Sequence, residues 1–188
     1  MRKGAIVFSM KINKNKEDSD KELKCSSCSE KGKVGKILLV SLIFLLGVIF
    51  VYINLIQYKL GLNADIASEG LLAKIIWESK EWIPSEWYYS TEMRLISVAN
   101  CAALFYGIFG NICLAMGLAC VVAGIFVFGG AWYLCKELEF KLEQKLLLIF
   151  LIMMLPNNKD LLELTFIYAG HYAFHIGLYF ITLAVFLK

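Results

Sequence analysis

Residues 37–57 read Ile37-Leu38-Leu39-Val40-Ser41-Leu42-Ile43-Phe44-Leu45-Leu46-Gly47-Val48-Ile49-Phe50-Val51-Tyr52-Ile53-Asn54-Leu55-Ile56-Gln57. No charge interrupts this run, and its apolar residues are continuous rather than alternating. Roughly 20 such residues form a helix that crosses about 30 Å of hydrocarbon. In lipid, only helices and closed barrels satisfy every backbone polar group, and barrel strands would alternate. The stretch therefore sets the class: all-α, a polytopic integral membrane protein with about four transmembrane segments.

The rest of the chain agrees with that class. It is 59% hydrophobic and 14% aromatic with two prolines, and its mean hydropathy is +0.65, beyond the range of soluble domains. A second span is expected over 112–135. Residues 146–155 form a third apolar stretch of about 10 residues, near 15 Å as helix and short for a crossing. A fourth, 161–187, is long enough to cross with tilt.

Charge orients the chain. Residues 1–36 carry ten Lys/Arg against five acids, and residues 59–110 carry four against six. The excess of basic residues places the amino terminus in the cytoplasm and the loop 59–111 outside the cell membrane. Lys136, Lys141 and Lys145 then fall in a cytoplasmic loop, 136–145. A cleavable signal peptide is not expected, because the apolar run starts late, is long, and lacks a small-residue cleavage site.

Residues 1–36 have no means of building a core and read as a disordered basic tail. Its lysines suit anionic lipid. Cys25-Ser26-Ser27-Cys28 is a single CxxC, half of what a structural zinc site needs. The Asp18-Ser19-Asp20 triplet has the spacing of a nucleotide-sugar motif but lies on the cytoplasmic side. Cys101, Cys113, Cys120 and Cys135 read as small packing residues.

The outer loop carries the chemistry. It opens Asn63-Ala64-Asp65-Ile66-Ala67-Ser68-Glu69 and ends Trp87-Tyr88-Tyr89-Ser90-Thr91-Glu92-Met93-Arg94. A helix from about Asp65 to Lys80 puts Lys74, Glu78 and Glu81 on one face. Asp65, Ser68 and Glu69 fall on the other, with Leu72 and Ile76, where a solvated charge is costly. The structural alternative has Asp65 capping the helix and Glu69 favoured by its dipole. Trp82, Trp87, Tyr88 and Tyr89 suit the headgroup level, and such rings also stack on sugars. Residues 95–110 read as a second interfacial helix, interrupted at Asn100 and Gly107.

This pattern, Asp-x-x-Ser-Glu followed by Trp-Tyr-Tyr-Ser-Thr-Glu-x-Arg, resembles the amino-terminal part of bacterial GT-C-type polytopic membrane glycosyltransferases, over roughly residues 37–188. The resemblance implies transfer of a sugar from a polyprenyl-phosphate-type donor to an acceptor hydroxyl on the outer face. It implies Asp65 and Glu69 as catalytic carboxylates, with Asp65 the base. Arg94, oriented by Glu92, would bind the donor phosphate, and Tyr89 would lie against substrate. An alternative for Glu92 joins Asp65 around a divalent cation, though no metal is required by these residues. Members of the group carry an Asp where Asn63 stands. They also carry a histidine at the position of His175, within His171-Tyr172-Ala173-Phe174-His175-Ile176. Read from the residues alone, His171 and His175 lie four apart on one helix face, and intramembrane ionisable groups face a bundle interior or cavity.

Such enzymes carry further spans, so the chain is expected to be an amino-terminal module that works with more sequence or a partner membrane chain. The competing class is a non-catalytic small membrane protein, an accessory subunit or remnant, whose outer carboxylates tolerate substitution. Membrane lipid and a lipid-linked sugar are the expected partners, and nucleic acid is not. A channel or transporter ranks lower, because the polar residues gather outside the midplane.

Overall fold

The computed structural model describes residues 33–57, 63–89, 95–154, 158, 161–162, 165–167 and 170–188. Among them are six α-helices and no strands: α1 (Lys33–Leu55), α2 (Ala64–Ser79), α3 (Val98–Phe109), α4 (Ile112–Glu137), α5 (Leu142–Met154) and α6 (Ala173–Leu187). By its contacts the chain divides after Ser41. Residues 33–41 are the first turns of α1, where the Ser41 hydroxyl donates to the Ile37 carbonyl at 2.9 Å. All packing described below belongs to residues 42–188.

Two helices, α1 and α4, are long and apolar enough to cross a membrane. The organising element is α4. Ala115, Ala119, Ala123, Val127, Ala131 and Cys135 recur every fourth residue along it and are fully buried. A stripe of small side chains lets neighbouring backbones come close, which is how helices associate where the surroundings are as apolar as their own side chains. At Gly117 a Cβ would lie 2.2 Å from the Asn54 carbonyl oxygen, and at Gly124 it would meet the Phe50 ring at 2.6 Å. The second half of α1 thus runs antiparallel to α4. Gly170 lies against Cys120, whereas Gly177 meets Phe126. So α6 runs parallel to α4 and begins about three turns into it.

The outer faces are apolar too. Phe44 is 73% exposed, Ile108 71% and Phe186 84%. Helix α5 buries Ile149 alone, so its packing is light. It follows α4 through residues 138–141, a turn tighter than the expected loop 136–145. There Glu139 takes a left-handed φ of 56°, and Phe140 N–H donates to the Cys135 carbonyl at 3.0 Å.

Helices α2 and α3 are set by local chemistry. Asn63, not Asp65, caps α2, its side chain accepting from Ile66 N–H at 2.9 Å. The helix stops at Lys80, whose left-handed φ of 61° turns the chain. The expected interruptions of 95–110 do not occur. Asn100 is the third residue of α3 and completes a capping box with Ser97, giving the helix a firm start. At Gly107 a Cβ would lie 2.4 Å from the Trp77 ring, so this glycine is where α2 seats on α3. Gly110, at φ 64°, ends α3 in the left-handed region, which costs glycine little.

The fourth apolar stretch is not one helix. Only Ala173–Leu187, 15 residues or about 22 Å, is continuous. Before it, Leu161, Leu162 and Thr165 are helical, Phe166–Ile167 turns, and Gly170 takes φ 50°. His171 therefore precedes the helix rather than sharing a helical face with His175.

A candidate site where the outer layer meets the bundle

The segment before α6 leaves backbone groups in need of partners, and the bundle supplies them. Asn54, fully buried in α1, donates from Nδ2 to the Phe50 carbonyl at 3.0 Å and to the Phe166 carbonyl at 3.3 Å. The Phe166 ring stacks on Phe128 at 5.5 Å and meets Phe50 edge-on at 6.4 Å. Gly170 N–H donates to the Ile167 carbonyl and Ala173 N–H to the Gly170 carbonyl. The turn is held from three sides, and it delivers His171 to the underside of α2.

There His171 meets Glu69. Nδ1 lies 3.3 Å from the Glu69 Oε1, and the two side chains are only 14% and 12% exposed. Isolated burial of either group would be costly, and each compensates the other. Tyr89 is close by: burial, and then the Glu69 charge, push its phenol above its ordinary value. Glu69 and His171 thus pair α2 with the segment before α6, and Tyr89, in the loop after α2, lies within reach of the Glu69 charge.

Asp65 sits one turn earlier on α2 and is exposed. Asp65 and Glu69 are four residues apart and nearly in phase, but Asp65 lies in the first turn of α2 beside the Asn63 cap and is exposed, so of the two carboxylates only Glu69 is turned away from solvent. Ser68 also faces out, its hydroxyl donating to the Asp65 carbonyl at 2.7 Å. His175 is exposed on α6, its ring 6.4 Å from that of Tyr172. Glu92 and Arg94 lie outside the described residues, as do Ser90, Thr91 and the CxxC of the tail. Among the described residues, no group of three His, Cys, Asp or Glu is placed to hold a metal ion.

The loop after α2 is fastened to α3. Trp82 Nε1 donates to the Leu95 carbonyl at 2.7 Å, and Asn100 Nδ2 donates to the Trp82 carbonyl at 2.9 Å. Pro84 is buried, and Trp87 N–H closes a turn onto its carbonyl at 3.2 Å. Trp82 and Trp87 are thus structural fasteners as well as aromatic surface.

Beside this layer lies a cavity of about 430 Å³ between α2, α3 and the start of α4. Ile66, Leu71, Ile112 and Met116 line it, with Lys74 and Tyr106 as polar members. Such a volume is within the range that holds small ligands. Lys74 also pairs with Glu78 at 3.7 Å in solvent.

His171 is the residue that sequence reading left without a role at this site. Its one signal was a second ionisable group in an apolar context, and nothing in the sequence tied it to Glu69, about a hundred residues away. Compared with protein-family models, curated proteins and solved structures, the chain matches none.

Proposed function

We propose that this is an integral membrane protein whose outer-face layer, α2 and α3, forms the acceptor side of a GT-C-type glycosyl-transfer site. The observation that carries the reading is the inward turn of Glu69 onto His171, directly beneath the exposed Asp65. One turn of α2 supplies an accessible carboxylate and, below it, a held one. Two further features support a membrane setting: two spans of sufficient length and apolar rings exposed on the outer faces of the helices, which water would not tolerate in such number.

In the proposed reaction, a hydroxyl oxygen of the acceptor attacks the anomeric carbon of a polyprenyl-phosphate-linked sugar. The bond from that carbon to the phosphate oxygen breaks, and the phosphate leaves with the electron pair. The hydroxyl proton passes to Asp65. Glu69, fixed by His171, orients the acceptor side.

The test is transfer by the full-length protein in proteoliposomes, from a radiolabelled polyprenyl-phosphate sugar. A placed general base contributes roughly 10²–10⁴ in rate, so Asp65→Asn is expected to slow transfer at least about 100-fold with unchanged thermal stability. Normal turnover by that variant removes Asp65 as the base. If no labelled donor of this class is consumed or bound, the non-catalytic reading replaces this one.

A further inference from the structure

We infer that Asn54 is a positioning residue: from α1 it holds the segment before α6 in place and so sets the Glu69–His171 pair. The inference concerns the site's geometry and stands whether or not the site transfers sugars.

The argument starts from the Phe166 carbonyl. It lies in a turn between helical pieces, where Gly170 N–H, four residues on, donates to the Ile167 carbonyl instead, and a buried polar group left unpaired is costly. Its donor comes from 112 residues away in sequence. Asn54 is at once fully buried and seated on α4, with its own backbone carbonyl over Gly117. The side chain therefore ties the turn at Phe166 to α1, where it also holds the Phe50 carbonyl, while the residue's backbone carbonyl seats α1 on α4 at Gly117.

Five residues after Phe166 the chain presents His171 to Glu69. Between them Gly170 sits in the left-handed region, against Val98 and Cys120. With Phe166 tied to Asn54 and Gly170, just before His171, set against Val98 of α3 and Cys120 of α4, His171 has little freedom to leave Glu69. An asparagine within an apolar span, otherwise an awkward residue there, has this work to do. Polar side chains of neighbouring helices satisfy a broken backbone inside a bundle in the same way.

The test is carbethoxylation of histidine by diethyl pyrocarbonate, read by peptide mass spectrometry on the full-length protein in detergent micelles. His175 is exposed and serves as the internal reference for His171. Labelling of fully buried Cys135 by N-ethylmaleimide reports whether the bundle is intact. Asn54→Leu keeps the number of side-chain heavy atoms and removes the donor. It is expected to raise His171 labelling relative to His175 about five-fold or more, the change that one lost buried hydrogen bond produces, with Cys135 still protected. His171 labelling unchanged while Cys135 stays protected overturns the inference. If Asn54→Leu exposes Cys135, Asn54→Ser decides: it keeps a hydroxyl donor in a shorter side chain. An increase at His171 with Cys135 protected supports the positioning role, and no increase removes it.

Discussion

The outer layer and the segment before α6 lie against each other, yet they are built by opposite means. In the outer layer nearly every boundary is fixed by residues within a few positions of it. Asn63 caps α2, Ser97 and Asn100 box the start of α3, Gly110 ends it, and Asn111 caps α4 by accepting from Leu114 N–H. The segment before α6 is held instead by distant residues: Asn54, Phe128 and Glu69. Local rules thus make a platform that any similar sequence would make. The histidine that meets it arrives only through the tertiary fold.

That contrast is broken most severely at the seam on which the second region depends. Gly117→Leu would drive a side chain into the Asn54 backbone, which has no room to give. It is expected to cost about 3 kcal/mol or more and to collapse the segment before α6 along with the α1–α4 contact. Thermal unfolding in detergent checks this, and near-wild-type stability would show that the seam is softer than described. Next comes Phe166→Ala, which empties the space between Phe50 and Phe128. Its expected cost is about 3 kcal/mol, with His171 freed for chemical labelling. Wild-type protection of His171 would mean that the aromatic contacts do not hold the turn.

A smaller effect is expected in the outer layer. Asn100→Ala removes half of the capping box and the bond to the Trp82 carbonyl, for about 1–2 kcal/mol. Its consequence should stay local, with Trp82 fluorescence altered and His171 still protected. If His171 is freed as readily as by Phe166→Ala, the two regions are not independent.

The smallest effect reads the electrostatics around Glu69. Tyr89 is held above its ordinary value by burial and then by Glu69. Its phenol should therefore titrate above pH 10, the wild-type minus Tyr89→Phe difference absorbance reporting it. Because the folded value is raised, whatever stability the neutral phenol contributes is present below pH 10 and lost as pH climbs through the folded value. Glu69→Gln should move the Tyr89 titration downward by the share that the charge supplies. No movement would place Glu69 too far away to act on it.

This division also explains what the sequence showed and what it hid. The all-helical class and two spans of crossing length follow from runs of apolar residues, as does a helix beginning near Asp65 and ending near Lys80. The reading of Asn100 and Gly107 as breaks failed because both residue types are ambiguous without their neighbours. Asn100 breaks a helix in its interior but starts one when Ser97 stands three residues before it. Gly107 weakens a helix in isolation but admits the Trp77 ring here. Glu69 was legible from helical phase. Asp65 was not separable from it, since the apolar arc drawn on α2 was wide enough to include both. The interruption of 161–187 had one local marker, Gly170, and its real cause is a set of contacts that no periodicity encodes.

The most direct test of the proposed function is photocrosslinking with a polyprenyl-phosphate sugar that carries a diazirine near the phosphate, applied to the full-length protein in proteoliposomes. The account predicts label on peptides from residues 63–94 and from the stretch ending at His171, displaced by excess unlabelled polyprenyl-phosphate sugar. Label spread along the lipid-facing sides of α1 and α5, undiminished by that competitor, would contradict it.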